Sequence, residues 1–316
     1  MKTRPLSRRE FLCGSLLVSG AALAGCSPGG ASRRSRVLRV AHITDIHVDS
    51  RSRARDGMAR ALEHIQSQHD APDFILNSGD SIMDALETPK EYALAHWEIF
   101  TTILEENNSL PIYHAIGNHD VWGWGLTGAD AADPAYGKGM ALHTLGLASR
   151  YYTFDRGGWH FIVLDSTHSR EIESAMPYTG KLDEEQFAWL EADLAATDPG
   201  TPVCVASHIP ILCACEFFDG DLAVSGNWIV PGAWMHIDAG RLRTLFLAHP
   251  NLRLALSGHA HQVDRVEYLG VRYSCDGAIC GNWWQGAYLG CPPGYVLVDL
   301  FDDGSSQTEF VAYDQA

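Results

Sequence analysis

The 316-residue chain is predicted to fold as one α/β domain in which two β-sheets form a sandwich flanked by helices. Three observations lead there. From Val37 onward, short apolar runs alternate with amphipathic stretches of helical period. The C-terminal part turns to strands alone. A content of 46% hydrophobic and 20% charged residues is enough to bury a large core.

Six runs are short and apolar enough to be strands: "VLRVAHIT" (37–44), "DFILNS" (73–78), "PIYHAI" (111–116), "WHFIVLD" (159–165), "PVCVAS" (202–207) and "LRLALS" (252–257). Helices are expected near 54–69, 89–106, 184–196 and 238–249. "DRVEYLGVRYSC" (264–275) reads as a hairpin and "YVLVDLFDDGS" (295–305) as a strand and turn. The Gly-, Ala- and Asp-rich segment 121–150 has weak periodicity and is expected to be a long surface excursion. His42 and His114 fall inside strands and read as structural.

The N-terminus reads as an address. "MKTRPLSRREFLCGSLLVSGAALAGC" has a basic start and then an apolar run from Phe11 to Gly25, shorter than the about 20 residues of a bilayer span. "SRREFL" (Ser7 to Leu12) resembles a twin-arginine export signal, and "LAGC" (Leu23 to Cys26) resembles a lipobox ending at the cysteine to be acylated. The expected organisation is a signal peptide over 1–25, a flexible tether over 26–36 and a catalytic domain over 37–316. That places the chain outside the cytoplasm, in the periplasm or cell envelope, attached to a membrane through Cys26.

Charge excludes one class of partner. With 23 Lys+Arg against 39 Asp+Glu the formal charge is -16, and no long basic run occurs in the body of the chain, so nucleic acid is not an expected partner. Cleavage before Cys26 would remove Lys2, Arg4, Arg8, Arg9 and Glu10, four positive charges and one negative, and -16 would become -19. An acidic protein handles an anionic substrate only where something local reverses the field, and bound divalent ions do this.

Polar residues collect at the strand ends. The first strand runs into Asp45 and His47, whose i and i+2 spacing in extended chain would turn both side chains to one side. The second ends at Gly79 and Asp80, and the third at Gly117, Asn118, His119 and Asp120. The strand at 202–207 ends at His208, and the strand at 252–257 runs into Gly258, His259 and His261. The carboxyl ends of strands in α/β sheets are where ligands bind, so these groups can meet at one place.

This set resembles the calcineurin-like metallophosphoesterase superfamily, through Asp45-x-His47, Gly79-Asp80, Gly117-Asn118-His119-Asp120, His208 and Gly258-His259-x-His261, over a span from about Val37 to at least His261. The resemblance implies a four-layer αββα fold and a pair of divalent ions. It implies that Asp45, His47, Asp80 and His261 bind one ion, that Asp80, Asn118, His208 and His259 bind the second, and that Asp80 bridges them. It also implies that His119 serves as an acid or transition-state donor and that Asp120 orients its loop. Ser81, Ile82 and Met83 follow Asp80, with no tyrosine where purple acid phosphatases carry a metal-binding one. The set is closer to bacterial phosphodiesterases of the cyclic-nucleotide type.

Imidazole with carboxylate suits Mn, Fe, Zn or Ni, whereas Mg or Ca favours an all-oxygen set. Two such ions about 3.5 to 4 Å apart offset phosphate charge and lower the pKa of a water to about 7. The expected activity is therefore a two-metal phosphoester hydrolase, diesterase or monoesterase, acting on a small phosphorylated metabolite or a lipid head group. The alternatives are a metal-bound binding protein without turnover and a pyrophosphatase or nuclease using the same centre. Trp283, Trp284 and Tyr288 either wall a substrate or plug the sandwich edge. Cys204 reads as a buried thiol, and Cys213 and Cys215 as loop disulfides or free thiols rather than further ligands.

Overall fold

A computed structural model describes residues 34–170, 176–224 and 226–313. The expected signal peptide, the Cys26 anchor and nearly all of the tether lie outside the described residues. In chain order the elements are β1 (Arg36–Ile43), α1 (Ser52–Gln66), β2 (Phe74–Asn77), α2 (Lys90–Asn107), β3 (Ile112–His114), α3 (Gly139–Leu145), β4 (Tyr152–Arg156) and β5 (Trp159–Val163). There follow β6 (Thr167–Ser169), β7 (Tyr178–Gly180), α4 (Glu184–Ala196), β8 (Val203–Ala206), β9 (Ala223–Val224) and β10 (Asn227–Trp228). The chain continues through α5 (Ala239–Ala248), β11 (Leu252–Ser257), β12 (Val263–Tyr268), β13 (Val271–Asp276), β14 (Gly294–Phe301) and β15 (Ser306–Ala312).

Two large sheets face each other. The first has the order β15-β14-β1-β2-β3 and the second β12-β13-β11-β8-β5-β4. In each, a parallel centre carries antiparallel strands at its margin: β1, β2 and β3 run parallel, as do β13, β11, β8 and β5. The apolar runs are continuous because the strands are covered on both faces. Val40, Phe74 and Leu76 point into the core between the sheets, where they meet Phe161, Val163, Leu254 and Leu256. Their neighbours Ala41 and Ile75 point the other way, against Met58, Leu62, Trp97 and Phe100 of α1 and α2. On the second sheet Ile162 and Val205 face Phe187, Leu190 and Leu194 of α4 and Leu242 and Phe246 of α5. Helix, sheet, sheet, helix is the order of layers.

Local chemistry explains the boundaries. Helix α1 buries Ala54, Gly57, Met58, Ala61, Leu62 and Ile65, a spacing of three and four residues that makes one stripe. Asp183 caps α4 by accepting from the Gln186 backbone N–H at 2.8 Å, which is why that helix starts where the sequence predicts. In the β12–β13 hairpin Leu269 and Gly270 both have positive φ, 52° and 87°, as a two-residue mirror-type turn requires.

Segment 121–150 lies mostly at the surface, as expected, but it is anchored at its start and through a short helix. Val121, Trp122, Met140 and Ala141 are buried and packed into the core beneath the first sheet. Helix α3 is only seven residues long, too short for its period to emerge from the sequence, and it ends at Gly146 with φ 65°. The 295–305 strand and turn continue into β15, which returns antiparallel along β14.

Candidate metal centre

The site lies where β1, β2, β3, β8 and β11 end and their loops converge. These loops are not extended chain. Asp45, His47, Asp80, His259 and His261 all sit in the left-handed region, with φ of 52°, 47°, 53°, 71° and 54°. Non-glycine residues there cost about 1 to 3 kcal/mol each, a strain characteristic of functional sites. The expected i, i+2 convergence of Asp45 and His47 is corrected accordingly: β1 stops at Ile43, and a tight loop brings the two side chains together. Three backbone bonds hold that loop to the end of β2, from Asp45 N–H to Gly79 C=O at 3.0 Å and from Ile46 and His47 N–H to Asp80 C=O at 2.9 and 3.0 Å.

Seven predicted ligand residues converge. Nε2 of His47 and Nε2 of His261 are 3.2 Å apart, and Oδ1 of Asp45 is 3.3 Å from the latter and 3.8 Å from the former. Oδ2 of Asp80 is 3.6 Å from His47 Nε2 and 3.2 Å from His208 Nε2. That same His208 nitrogen is 2.9 Å from Asn118 Oδ1 and 3.2 Å from His259 Nδ1. Asp80 Oδ2 thus belongs to two adjoining donor sets, while its Oδ1 accepts the His119 backbone N–H at 2.8 Å.

The residues fit a pair of cations. The far ring nitrogens are committed to carbonyls: His261 Nδ1 to Gly281 at 2.6 Å, His208 Nδ1 to Ser78 at 3.1 Å, His47 Nδ1 to Met83 at 3.4 Å and His259 Nε2 to Ala233 at 2.9 Å. In a neutral imidazole the opposite nitrogen then carries a lone pair. In His47 and His259 those lone pairs point at neighbouring ring nitrogens and, for His47, at the carboxylates of Asp45 and Asp80. Asp45 Oδ1 is buried with no hydrogen-bond partner. Electron pairs gathered at such distances repel unless positive charge sits among them. Burial holds His47 and His259 down to about 3, which keeps their nitrogens unprotonated. Burial also lowers His208, but the Asp80 carboxylate outweighs it and holds that ring up to about 9, so a divalent ion would displace a proton there.

Two glycines leave the space these groups occupy. A Cβ on Gly117 would stand 2.1 Å from Asp80 Oδ1, and one on Gly258 would stand 2.4 Å from Asp45 Oδ2. Asp120 is fully buried and accepts the backbone N–H groups of Ser81 at 2.8 Å and Gly117 at 2.9 Å, so it ties the Asp80 and Asn118 loops together and does not enter the cleft.

His119 lines the cleft, edge-on to His47 with ring centroids 4.9 Å apart. Its Nδ1 meets Asp84 Oδ1 at 3.0 Å. Burial lowers the His119 pKa, but Asp80 and Asp84 together raise it further, above its ordinary value. Sequence reasoning missed Asp84. Its signal is a carboxylate four residues after Asp80, disguised as a turn residue that also accepts from Leu86 N–H and the Thr88 hydroxyl.

The aromatic segment divides its labour. Trp284 is buried and donates from Nε1 to the His47 carbonyl at 3.0 Å. Trp283 lies tilted against His261 with centroids 4.5 Å apart, and Tyr288 meets Trp283 edge-on at 5.7 Å. Both line the cleft, with room for about 220 Å³, and no Lys or Arg lines it among the described residues. Tyr178, Glu216, Asp219 and Trp234 complete its wall and carry no motif that would announce them. All six cysteines among the described residues are free thiols; Cys213, Cys215 and Cys275 pack together with Ala260 behind the His259 loop.

The profile of the calcineurin-like phosphoesterase family matches residues 38–263. A 3',5'-cyclic-nucleotide phosphodiesterase of Nostoc is 27% identical over 286 residues, covering 86% of this chain and 91% of the relative. A 3',5'-cyclic adenosine monophosphate phosphodiesterase of Escherichia coli is 22% identical over 286 residues, covering 86% of this chain and 88% of the relative. In fold, the chain is similar to a dimetal phosphatase from Danio rerio, with a TM-score of 0.60 at 14% identity over 89% of this chain and 100% of the other. It is also similar to a purple acid phosphatase from yellow lupin, with a TM-score of 0.57 at 15% identity over 88% of this chain and 52% of the other.

Proposed function

The chain belongs to the calcineurin-like phosphoesterase family and is a metal-dependent phosphoester hydrolase, and on that premise we propose that it hydrolyses small phosphodiesters, with 3',5'-cyclic nucleotides first among them. One observation carries the reading. Two donor sets share Asp80 Oδ2 at the floor of a cleft that, among the described residues, no Lys or Arg lines. Such a cleft neutralises one phosphate at its metal floor and has nothing to neutralise a second. A singly charged diester suits it better than a pyrophosphate or a polynucleotide. The relatives from Nostoc and Escherichia coli, similar along most of their lengths, support the choice of cyclic diester.

Asp45, His47, Asp80 and His261 would hold one divalent ion, and Asp80, Asn118, His208 and His259 the other; imidazole with carboxylate favours Mn, Fe, Zn or Ni. Bound there, the pair supplies charge to the phosphate oxygens and a water acidic enough to attack. The chain's own residues do the rest. His119 keeps Nδ1 on Asp84 and presents Nε2 to the departing oxygen, which needs a proton or a strong hydrogen bond. Asp120 fixes the loop from which Asn118 and His119 project. The N-terminal sequence supports export and lipid attachment at Cys26, which would place this hydrolysis in the cell envelope.

The test is a panel of 3',5'-cyclic nucleotides, linear diesters, monoesters and pyrophosphate, offered to the metal-reconstituted chain. Cyclic and small linear diesters should be turned over fastest. Preference for monoesters or pyrophosphate would overturn the reading, and two bound ions with no turnover of any ester would mark a binding protein on the same fold.

A further inference from the structure

Across the cleft from the metal floor lies a carboxyl that the catalytic arrangement does not use. Glu216 is 2% exposed, lines the cleft, and its side chain has no hydrogen-bond partner among the described residues. A carboxyl held at a cleft wall without a protein partner is free to accept from a donor on whatever occupies the cleft. Its position is built. Glu216 lies in the short 3-10 turn Cys215–Phe218, and the N–H groups of Ala214 and Cys215 both donate to Oδ2 of Asp264 on β12. Its acidic neighbour Asp219 is already served, since it accepts the Tyr288 hydroxyl at 3.0 Å.

We propose that Glu216 reads the organic half of the substrate, accepting a hydrogen bond from an amino N–H on a heteroaromatic base lodged against Trp283 and Tyr288. This rests on the phosphodiesterase reading above and adds to it which cyclic nucleotides are preferred: those whose base carries an exocyclic amine. Among the described residues no Lys or Arg lines the cleft to pair with Glu216, so its oxygens are open to a donor carried by a ligand. Trp283, tilted by 31° against His261, sets an aromatic ring beside the metal floor, and a flat base is the shape that uses it. Burial, with Cys215 and Asp219 nearby, holds the Glu216 carboxyl up to about 8, as expected of an acid with no partner of its own.

The experiment compares 3',5'-cyclic adenosine monophosphate with its analogue bearing hydrogen in place of the 6-amino group, on the metal-reconstituted full domain. In the unaltered protein kcat/KM should favour the amine by about tenfold or more, because a site built around a donor rejects the molecule that lacks it. Glu216→Leu should erase that preference to within about twofold, and Glu216→Gln, which keeps an acceptor oxygen, should retain part of it. The comparison in unaltered protein needs no variant to fold. Equal rates there, or a preference that survives Glu216→Leu, would overturn the role of Glu216 while leaving the diesterase reading intact. If neither cyclic nucleotide is cleaved while linear diesters are, the cyclic-nucleotide reading fails and this inference falls with it.

Discussion

Nδ1 of His119 lies 3.0 Å from Oδ1 of Asp84, and this contact points the other ring nitrogen of His119 toward the cleft. His119→Ala should keep two ions bound, because its ring, though within reach of His47 and Asp80, is engaged by Asp84 at Nδ1. Turnover of alkyl and ribose esters should fall by about a hundredfold to ten-thousandfold. Nitrophenyl esters, whose leaving group departs without a proton, should slow much less. Asp84→Asn should show the same leaving-group pattern with a smaller loss. Steady-state kinetics on the two ester classes, with elemental analysis of the same samples, checks this; metal lost in proportion to activity would make His119 a ligand instead.

Gly117 tests how tightly the fold is drawn around the centre. A Cβ there would press within 2.1 Å of Asp80 Oδ1 and 2.3 Å of Asp80 N. Gly117→Ala should therefore displace Asp80 and lower both metal content and activity, while far-ultraviolet circular dichroism stays that of the folded chain. Full metal loading with unaltered kinetics would show that the loop yields without cost.

Away from the site, His160 stands between Asp155 Oδ1 at 2.6 Å and Asp193 Oδ2 at 2.9 Å. Burial lowers its pKa, but the two carboxylates outweigh that and raise it above 6.5. A raised folded pKa means stabilisation fully present below the unfolded value and lost as pH rises through the folded one. Asp155 is largely exposed, so Asp193 should carry most of the effect. His160→Gln should cost about 1 kcal/mol near pH 5.5 and less near pH 9, measured by denaturant unfolding. A cost that grows with pH would contradict the assignment.

The proposed address has its own test. Arg8→Lys with Arg9→Lys should retain precursor in the cytoplasm, and Cys26→Ser should abolish lipid labelling. Fractionation that recovers the unaltered chain as a cytoplasmic soluble protein would refute both.

The fold and the metal floor were legible for a shared physical reason. Strands covered on both faces read as unbroken apolar runs, as in "DFILNS", and residues such as Asp80 and His208 stand out because they interrupt those runs at the end. Asp183 and Gln186 likewise announce the start of α4 by capping chemistry that is entirely local. The opposite wall was not legible. Glu216, Asp219 and Trp234 reach the cleft from a loop far along the chain, through contacts such as Asp264 to the Cys215 N–H that no local pattern encodes. The left-handed backbone at Asp45 and His47 also escaped, since it is imposed by bonds to Gly79 and Asp80 from another strand end. Helix α3 was hidden by its length.

The central claim is that Asp80 joins two ions into one catalytic centre, since its Oδ2 lies 3.2 Å from His208 Nε2 and 3.6 Å from His47 Nε2. The measurement that tests it most directly is the metal content of Asp80→Asn by elemental analysis, read with diester turnover on the same sample. One ion or none per chain, with turnover abolished, is the predicted result. Two ions per chain with normal turnover would contradict it.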